Sequence, residues 1–110
     1  MIVVDEPTHA GGGDAGPQPT EVYLASVASC FTLAVYHVAR KRGIELPDLR
    51  VRAVGQYEGP SFVKVRVEVS SSFSRAEMEP LLERASAVCY VSNTMRAVDD
   101  IDVVLVEGGG

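Results

Sequence analysis

A chain of 110 residues with 46% hydrophobic and 23% charged side chains has the composition of one ordinary globular domain, neither disordered nor stapled by disulfides, and short enough for a second copy to complete its core. Its net charge of -5 sets a repulsive background for nucleic acids and anionic membrane surfaces, which bind through many phosphate-neutralising Lys and Arg side chains. The opening Met1-Ile2-Val3-Val4-Asp5-Glu6-Pro7 lacks the basic segment and long apolar run of a signal peptide, so the chain reads as cytoplasmic, with cysteines that are free thiols or a redox pair.

Ile2 to Val4 has the composition of a short strand. The stretch from Ala10 to Pro19 gathers Gly11, Gly12, Gly13, Gly16 and Pro17 with Asp14 into a loop, which no helix crosses; residues 8–18 are expected to be flexible. From Val22 to Ala39 there is no charged residue apart from a titratable His37, a length that tests as a membrane span. Ser26, Ser29, Thr32, Tyr36 and His37 make the segment too polar for that, and a helix apolar on nearly every side is instead a central one covered by neighbours. Ala25 and Ser29, like Ala28 and Thr32, sit four apart and permit close approach of another helix or a symmetry mate. Arg40, Lys41 and Arg42 suit the negative end of the helix dipole, and Gly43 is the natural left-handed residue after it.

Leu49, Val51, Ala53, Gly55 and Tyr57 alternate with polar residues, as do Val63, Val65, Val67 and Val69. Joined through Glu58-Gly59-Pro60-Ser61, they predict an antiparallel hairpin with one apolar face on the core. Arg50, Arg52, Lys64 and Arg66 make the other face basic, but with Glu68 among them and no interleaved aromatics it is a solvated face rather than a nucleic-acid surface. Ser74-Arg75-Ala76-Glu77 has capping-box spacing. A second helix therefore starts near Arg75 and runs to about Cys89, with Met78, Leu81, Leu82, Ala85 and Val88 as its apolar stripe. Ser92 and Asn93 are candidate N-caps for a further short helix through Val98. Ile101 to Val106 reads as a closing strand and 108–110 as a disordered tail, the whole of 1–110 forming a single domain.

A cysteine in mid-helix, such as Cys30, is most often a small hydrophobe. Cys89 lies near a helix break, just before the next helix starts, where the dipole favours a thiolate. Sequence separation says nothing about their distance, and a bridge requires Cα atoms within roughly 7 Å. His37 shares a helix face with Cys30 but lies two turns away, about 10 Å, too far for a thiol-imidazole pair. His9, Cys30, His37 and Cys89 have no paired metal-ligand spacing, and no dinucleotide, phosphate-loop or nucleophile-elbow motif occurs. No metal or cofactor is expected.

Asp5-Glu6-Pro7, the glycine run with Asp14, Gly16-Pro17-Gln18-Pro19-Thr20-Glu21, Ala25 to Cys30, Arg40-Lys41-Arg42-Gly43 and Cys89-Tyr90-Val91-Ser92-Asn93-Thr94 together resemble the OsmC/Ohr superfamily, osmotically inducible protein C and organic hydroperoxide resistance proteins. The stretches fall in the family's order and span nearly the whole chain. The resemblance implies an α+β fold, in which a long central buried helix and a second helix pack on a curved antiparallel sheet, as a homodimer with a cysteine pair beside its interface. It further implies that Cys30 attacks an organic hydroperoxide, that Cys89 resolves the sulfenic acid as a disulfide, and that a thiol reductant, in some members a dithiol of lipoyl type, restores both.

Three features depart from the family pattern. Family peroxidases carry an activating arginine on strands before the Asp-Glu-Pro segment, and this sequence opens almost at that segment, as a short form. The glutamate that holds the arginine falls at Thr20 when Pro19 and Cys30 are aligned, leaving Glu21 one position away. Tyr90 replaces the proline usual after the second cysteine. Two readings stay open: a thiol-dependent hydroperoxide reductase, and a noncatalytic OsmC-like binding module with a free sheet edge for a partner.

Overall fold

The computed structural model describes residues 2–98 and 101–106. After a single 3-10 turn at Thr8–Ala10 come helix α1 (Pro19–Lys41), strands β1 (Arg50–Glu58) and β2 (Ser61–Ser70), and helices α2 (Arg75–Val88) and α3 (Tyr90–Ala97). The expected tail, 108–110, lies outside the described residues.

Helix α1 begins with Pro19, whose fixed φ and missing N–H suit the first helical position, and the Glu21 carboxylate accepts the Gln18 backbone N–H at 2.9 Å. Its other end closes as the basic turn and Gly43 predict. Gly43 has φ 70 and donates to the Arg40 carbonyl at 3.1 Å, while Ile44 donates to that of Ala39 at 2.9 Å. That double closure is a Schellman motif, and the positive φ is why a glycine stands there.

Packing follows helical spacing. Val27, Phe31, Ala34, Val35, Val38 and Ala39 of α1 are buried, as are Met78, Leu81 and Ala85 of α2, and Leu46 and Cys89 complete the buried core. Each large apolar side chain so buried contributes about 1.5–3 kcal/mol. Val51, Val67 and Val69 bring the sheet against this cluster. α1 is central, in contact with β1, β2, α2 and α3.

The most apolar window of α1 has a mean hydropathy of 1.6, enough by length and composition to cross a membrane, and 33% of it is buried inside the chain. The hydroxyls on which the sequence reading relied are satisfied within the helix itself: Ser26 donates to the Tyr23 carbonyl, Ser29 to that of Ser26 and Thr32 to that of Ala28. Such bonds lower the cost of burying serine and threonine. What marks α1 as a core helix is instead its buried stripe, Val27, Phe31, Ala34, Val35, Val38 and Ala39.

The hairpin is antiparallel, with Gly59 at φ 61 in its tight turn. Val51 pairs with Val69, Ala53 with Val67 and Gly55 with Val65, but the register shifts between Gln56 and Tyr57, where Tyr57 faces Phe62. Val63 is the extra residue of this bulge and is 53% exposed. The expected alternation thus fails at Val63, because one inserted residue moves every later side chain to the other face. Phe62 takes its place, stacked on Tyr23 with ring centroids 5.7 Å apart and tilted against Tyr57 at 4.5 Å. On the outer face Glu68 pairs with Arg52 at 3.8 Å and Arg66 at 3.0 Å.

Two expected strands do not form. Ile2–Val4 and 101–106 carry no strand structure, and their apolar side chains are exposed. An apolar run becomes a strand only where a neighbour offers a hydrogen-bonded ladder, and among the described residues the sheet consists of β1 and β2.

The glycine-rich loop folds back on Asp5. Its carboxylate accepts the backbone N–H groups of Glu6, Gly13 and Ala15 at 2.8, 3.0 and 3.1 Å. Gly12 lies against the Glu6 carbonyl, where a Cβ would collide. The Asp-Glu-Pro segment thereby orders the chain leading into α1.

Candidate active site

Cys30 sits midway along α1 and is half-buried, while Cys89 is fully buried at 0% exposure. The fold brings them within 3.6 Å of each other, and both are free thiols. Neither residue's immediate sequence shows this approach. It follows from the packing of α1 against α2 and α3.

Cys89 ends α2 and starts α3 at once, with φ -71 and ψ 108. The sequence predicts caps for this short helix at Ser92 and Asn93. In the structure the helix starts at Tyr90, and Cys89, three residues before Ser92, occupies the N-cap position. Its sulfur makes no side-chain cap hydrogen bond, and both residues expected to cap are turned to other uses. The Asn93 side-chain amide donates to the Ala87 carbonyl at 3.1 Å, satisfying one of the orphan carbonyls at the end of α2. The Ser92 hydroxyl donates to Cys89 Sγ at 3.2 Å.

The sulfur of Cys89 is thus surrounded by donors. Burial pushes its thiol up, but the Ser92 hydroxyl, the Ser92 backbone N–H, the Cys30 thiol and the Val91 backbone N–H together hold it below the usual thiol value. The two backbone groups lie too loosely for a regular cap hydrogen bond; they act as the positive end of the helix dipole.

Ser92 was legible in sequence only as a cap. The signal that would have found its role is the Cys-x-x-Ser spacing, which at a helix start puts the fourth residue's side chain back over the first, as in a capping box.

Thr20 and Glu21 stand at the opposite end of α1's first half, in its first turn, about 14 Å along the helix axis from Cys30. The Glu21 carboxylate is engaged with the Gln18 N–H there. The structure does not bring either residue to the cysteine pair. Next to Ser92 lies a cavity of about 340 Å³, lined by Tyr23, Val27, Phe62, Val65 and Met95, with Lys64 and Arg96 also on its wall. Val27 is one turn of α1 from Cys30, so this cavity borders the thiol site. Among the described residues no cluster of three His, Cys, Asp or Glu side chains is placed to hold a metal.

The family described as OsmC-like protein matches residues 11–104. An organic hydroperoxide resistance protein of Xanthomonas axonopodis pv. citri is 30% identical over 101 residues, covering 86% of this chain and 70% of the relative. Among solved structures, an organic hydroperoxide resistance protein OsmC from Legionella pneumophila superposes with a TM-score of 0.64 at 26% identity, over 87% of this chain and 74% of the other. The organic hydroperoxide resistance protein OhrB of Bacillus subtilis gives 0.64 at 25% identity, over 82% and 69%. An OsmC-like protein from Mycoplasma pneumoniae, at 21% identity and a TM-score of 0.72, over 88% and 73%, shares the fold. With the family matched across most of its length and its helices and hairpin superposing on solved members, the chain belongs to the OsmC/Ohr superfamily.

Proposed function

We propose that this chain is a thiol-dependent organic hydroperoxide reductase in which Cys30 is the peroxidatic cysteine and Cys89 the resolving one. The approach of the two cysteines to 3.6 Å is the observation that carries the reading, joined to their unequal burial. Half-buried Cys30 is the thiol a substrate can reach, and buried Cys89 is kept for a partner inside the protein.

The Cys30 thiolate attacks one peroxide oxygen, the O–O bond breaks, and the departing alkoxide takes a proton to leave as the alcohol. Cys89 then attacks the sulfenic sulfur, an S–S bond forms, and hydroxide leaves and is protonated to water. A dithiol returns both sulfurs to thiols, a step suited to the cytoplasm, where thiols are kept reduced. The bordering cavity supports an alkyl hydroperoxide as the substrate class, since the aromatic and aliphatic part of its wall, Tyr23, Val27, Phe62 and Val65, would shelter a hydrocarbon chain.

A homodimer built from one OsmC-like domain per copy belongs to the same proposal. Leu33 on α1 is 69% exposed and Tyr23 is partly exposed, an apolar face that a second copy would cover. Sedimentation should show no stable monomer at micromolar concentration, and a compact folded monomer would overturn that part.

The reductase reading is tested by exposing the dithiol-reduced protein to tert-butyl hydroperoxide and following peroxide consumption and intact mass. The protein should consume peroxide and lose two hydrogens, and fresh dithiol should reverse the mass change. Absence of disulfide formation would sink the reading in favour of a noncatalytic binding module.

A further inference from the structure

Ser92 is 8% exposed, a buried polar residue in an otherwise apolar core. A serine inside a helix usually returns its proton to a carbonyl one turn earlier, as Ser26 and Ser29 do in α1 and Thr94 does in α3. Ser92 does not. Its hydroxyl donates to Cys89 Sγ at 3.2 Å, while its backbone N–H, three residues into α3, makes no regular cap hydrogen bond to that sulfur and contributes only as part of the positive end of the helix dipole. A neutral thiol is a weak acceptor and a thiolate a strong one. One hydroxyl aimed at a buried sulfur at the head of a helix, with a second thiol within 3.6 Å, forms a cradle for the anion.

We propose that Ser92 is a positioning residue for disulfide closure, holding Cys89 as the thiolate directed at the sulfur of Cys30. The inference rests on the reductase reading above, since the oxidant it requires is the Cys30 sulfenic acid formed by the hydroperoxide. In the step, the electron pair of the Cys89 thiolate forms the S–S bond and the S–O bond of Cys30 breaks. Hydroxide leaves and takes up a proton as water; the Cys89 sulfur is oxidised and the sulfenic sulfur reduced.

Two measurements test it. The first needs no peroxide: in Cys30→Ser protein the thiolate absorbance follows Cys89 alone, and adding Ser92→Ala should raise its titration midpoint by about one pH unit, the effect of losing one hydrogen bond to a charged group. The second follows disulfide closure by quenched-flow mass spectrometry across a pH series, with tert-butyl hydroperoxide as oxidant. A more basic thiolate is intrinsically the better nucleophile, with a Brønsted slope of about 0.4–0.5, so Ser92→Ala should close about threefold slower below both midpoints and about threefold faster above them. Ser92→Thr, which keeps the hydroxyl, should restore the wild-type profile. A purely structural role would slow closure at every pH without moving the midpoint, and that result overturns the inference. So does an unchanged Cys89 midpoint in the absorbance titration. Failure of the wild type to form any disulfide would instead overturn the reductase reading, while the absorbance titration still decides whether Ser92 holds the thiolate.

Discussion

Cys30 and Cys89 approach to 3.6 Å while remaining free thiols, one from the middle of α1 and the other from the junction of α2 and α3. A disulfide bond is about 2.05 Å long, so closure asks for a short movement rather than a rearrangement. The junction is the natural place for it, because a residue between two helices carries fewer intrahelical hydrogen bonds than one in mid-helix.

The two cysteines should fail in different ways. Cys30→Ser should abolish hydroperoxide consumption, since Cys89 is buried from substrate. Cys89→Ser should react once and then, with no thiol to resolve it, persist as sulfenic acid or climb to sulfinic and sulfonic forms. Intact mass resolves these as successive added oxygens; equal consumption by wild type and Cys30→Ser would contradict the assignment.

Asp5 predicts an acid response of the glycine loop. The backbone N–H of Ala15, then that of Glu6, hold its carboxyl below the usual range against a small opposing effect of desolvation, and Gly13 adds to them. A carboxylate depressed in the folded state stabilises above its unfolded value, about 3.9, and loses that contribution as pH falls through the lower folded value. Amide exchange at Gly13 and Ala15 should therefore lose protection in that acid window. Asp5→Asn should show weakened protection already at neutral pH and no such acid transition.

At α2 the reciprocal cap should be measurable on its own. Ser74 Oγ accepts the Glu77 N–H at 3.2 Å, and the Glu77 carboxylate accepts the Ser74 N–H at 3.0 Å. Ser74→Ala should lower stability by about 1 kcal/mol, read from the midpoint of urea unfolding with an unchanged slope. A neutral result would mean that the α1 contacts alone hold the first turn of α2.

Gly55 tests the bulge. The Phe62 ring occupies the place a Cβ would take, so Gly55→Ala should displace the ring from its contacts with Tyr57 and Tyr23 and cost about 1–3 kcal/mol. Equilibrium unfolding measures the loss, and Phe62→Leu in the same background should recover part of it.

The elements most legible in the sequence are those whose signals are local. Ser74 and Glu77 mark the start of α2, Gly43 marks the end of α1, and alternation about Val65 to Val69 marks β2. What escaped depends on partners distant in the chain. Val63 breaks the alternation because register belongs to a pair of strands. Ile2–Val4 and the run from Ile101 stay outside the sheet because a strand requires a neighbour as well as a composition. The cysteine proximity was implied by the family resemblance, whereas periodicity carried no distance. Cys89 as a helix cap was hidden because sulfur is not among the usual capping atoms, although the position of Ser92 three residues later was in view.

The place of Cys89 at the head of α3 couples two equilibria. A thiolate there is stabilised by donors that a neutral disulfide sulfur can hardly use, so oxidation forfeits that stabilisation and the reduced form is favoured. The principle is thermodynamic linkage: whatever stabilises the dithiol more than the disulfide shifts the couple to a more oxidising potential. Any disulfide between Cys30 and Cys89 would accordingly be readily reduced by small dithiols, and the first turn of α3 would loosen on oxidation and tighten on reduction. On the reductase reading, a helix only two turns long would thus bias the resting redox state of the pair.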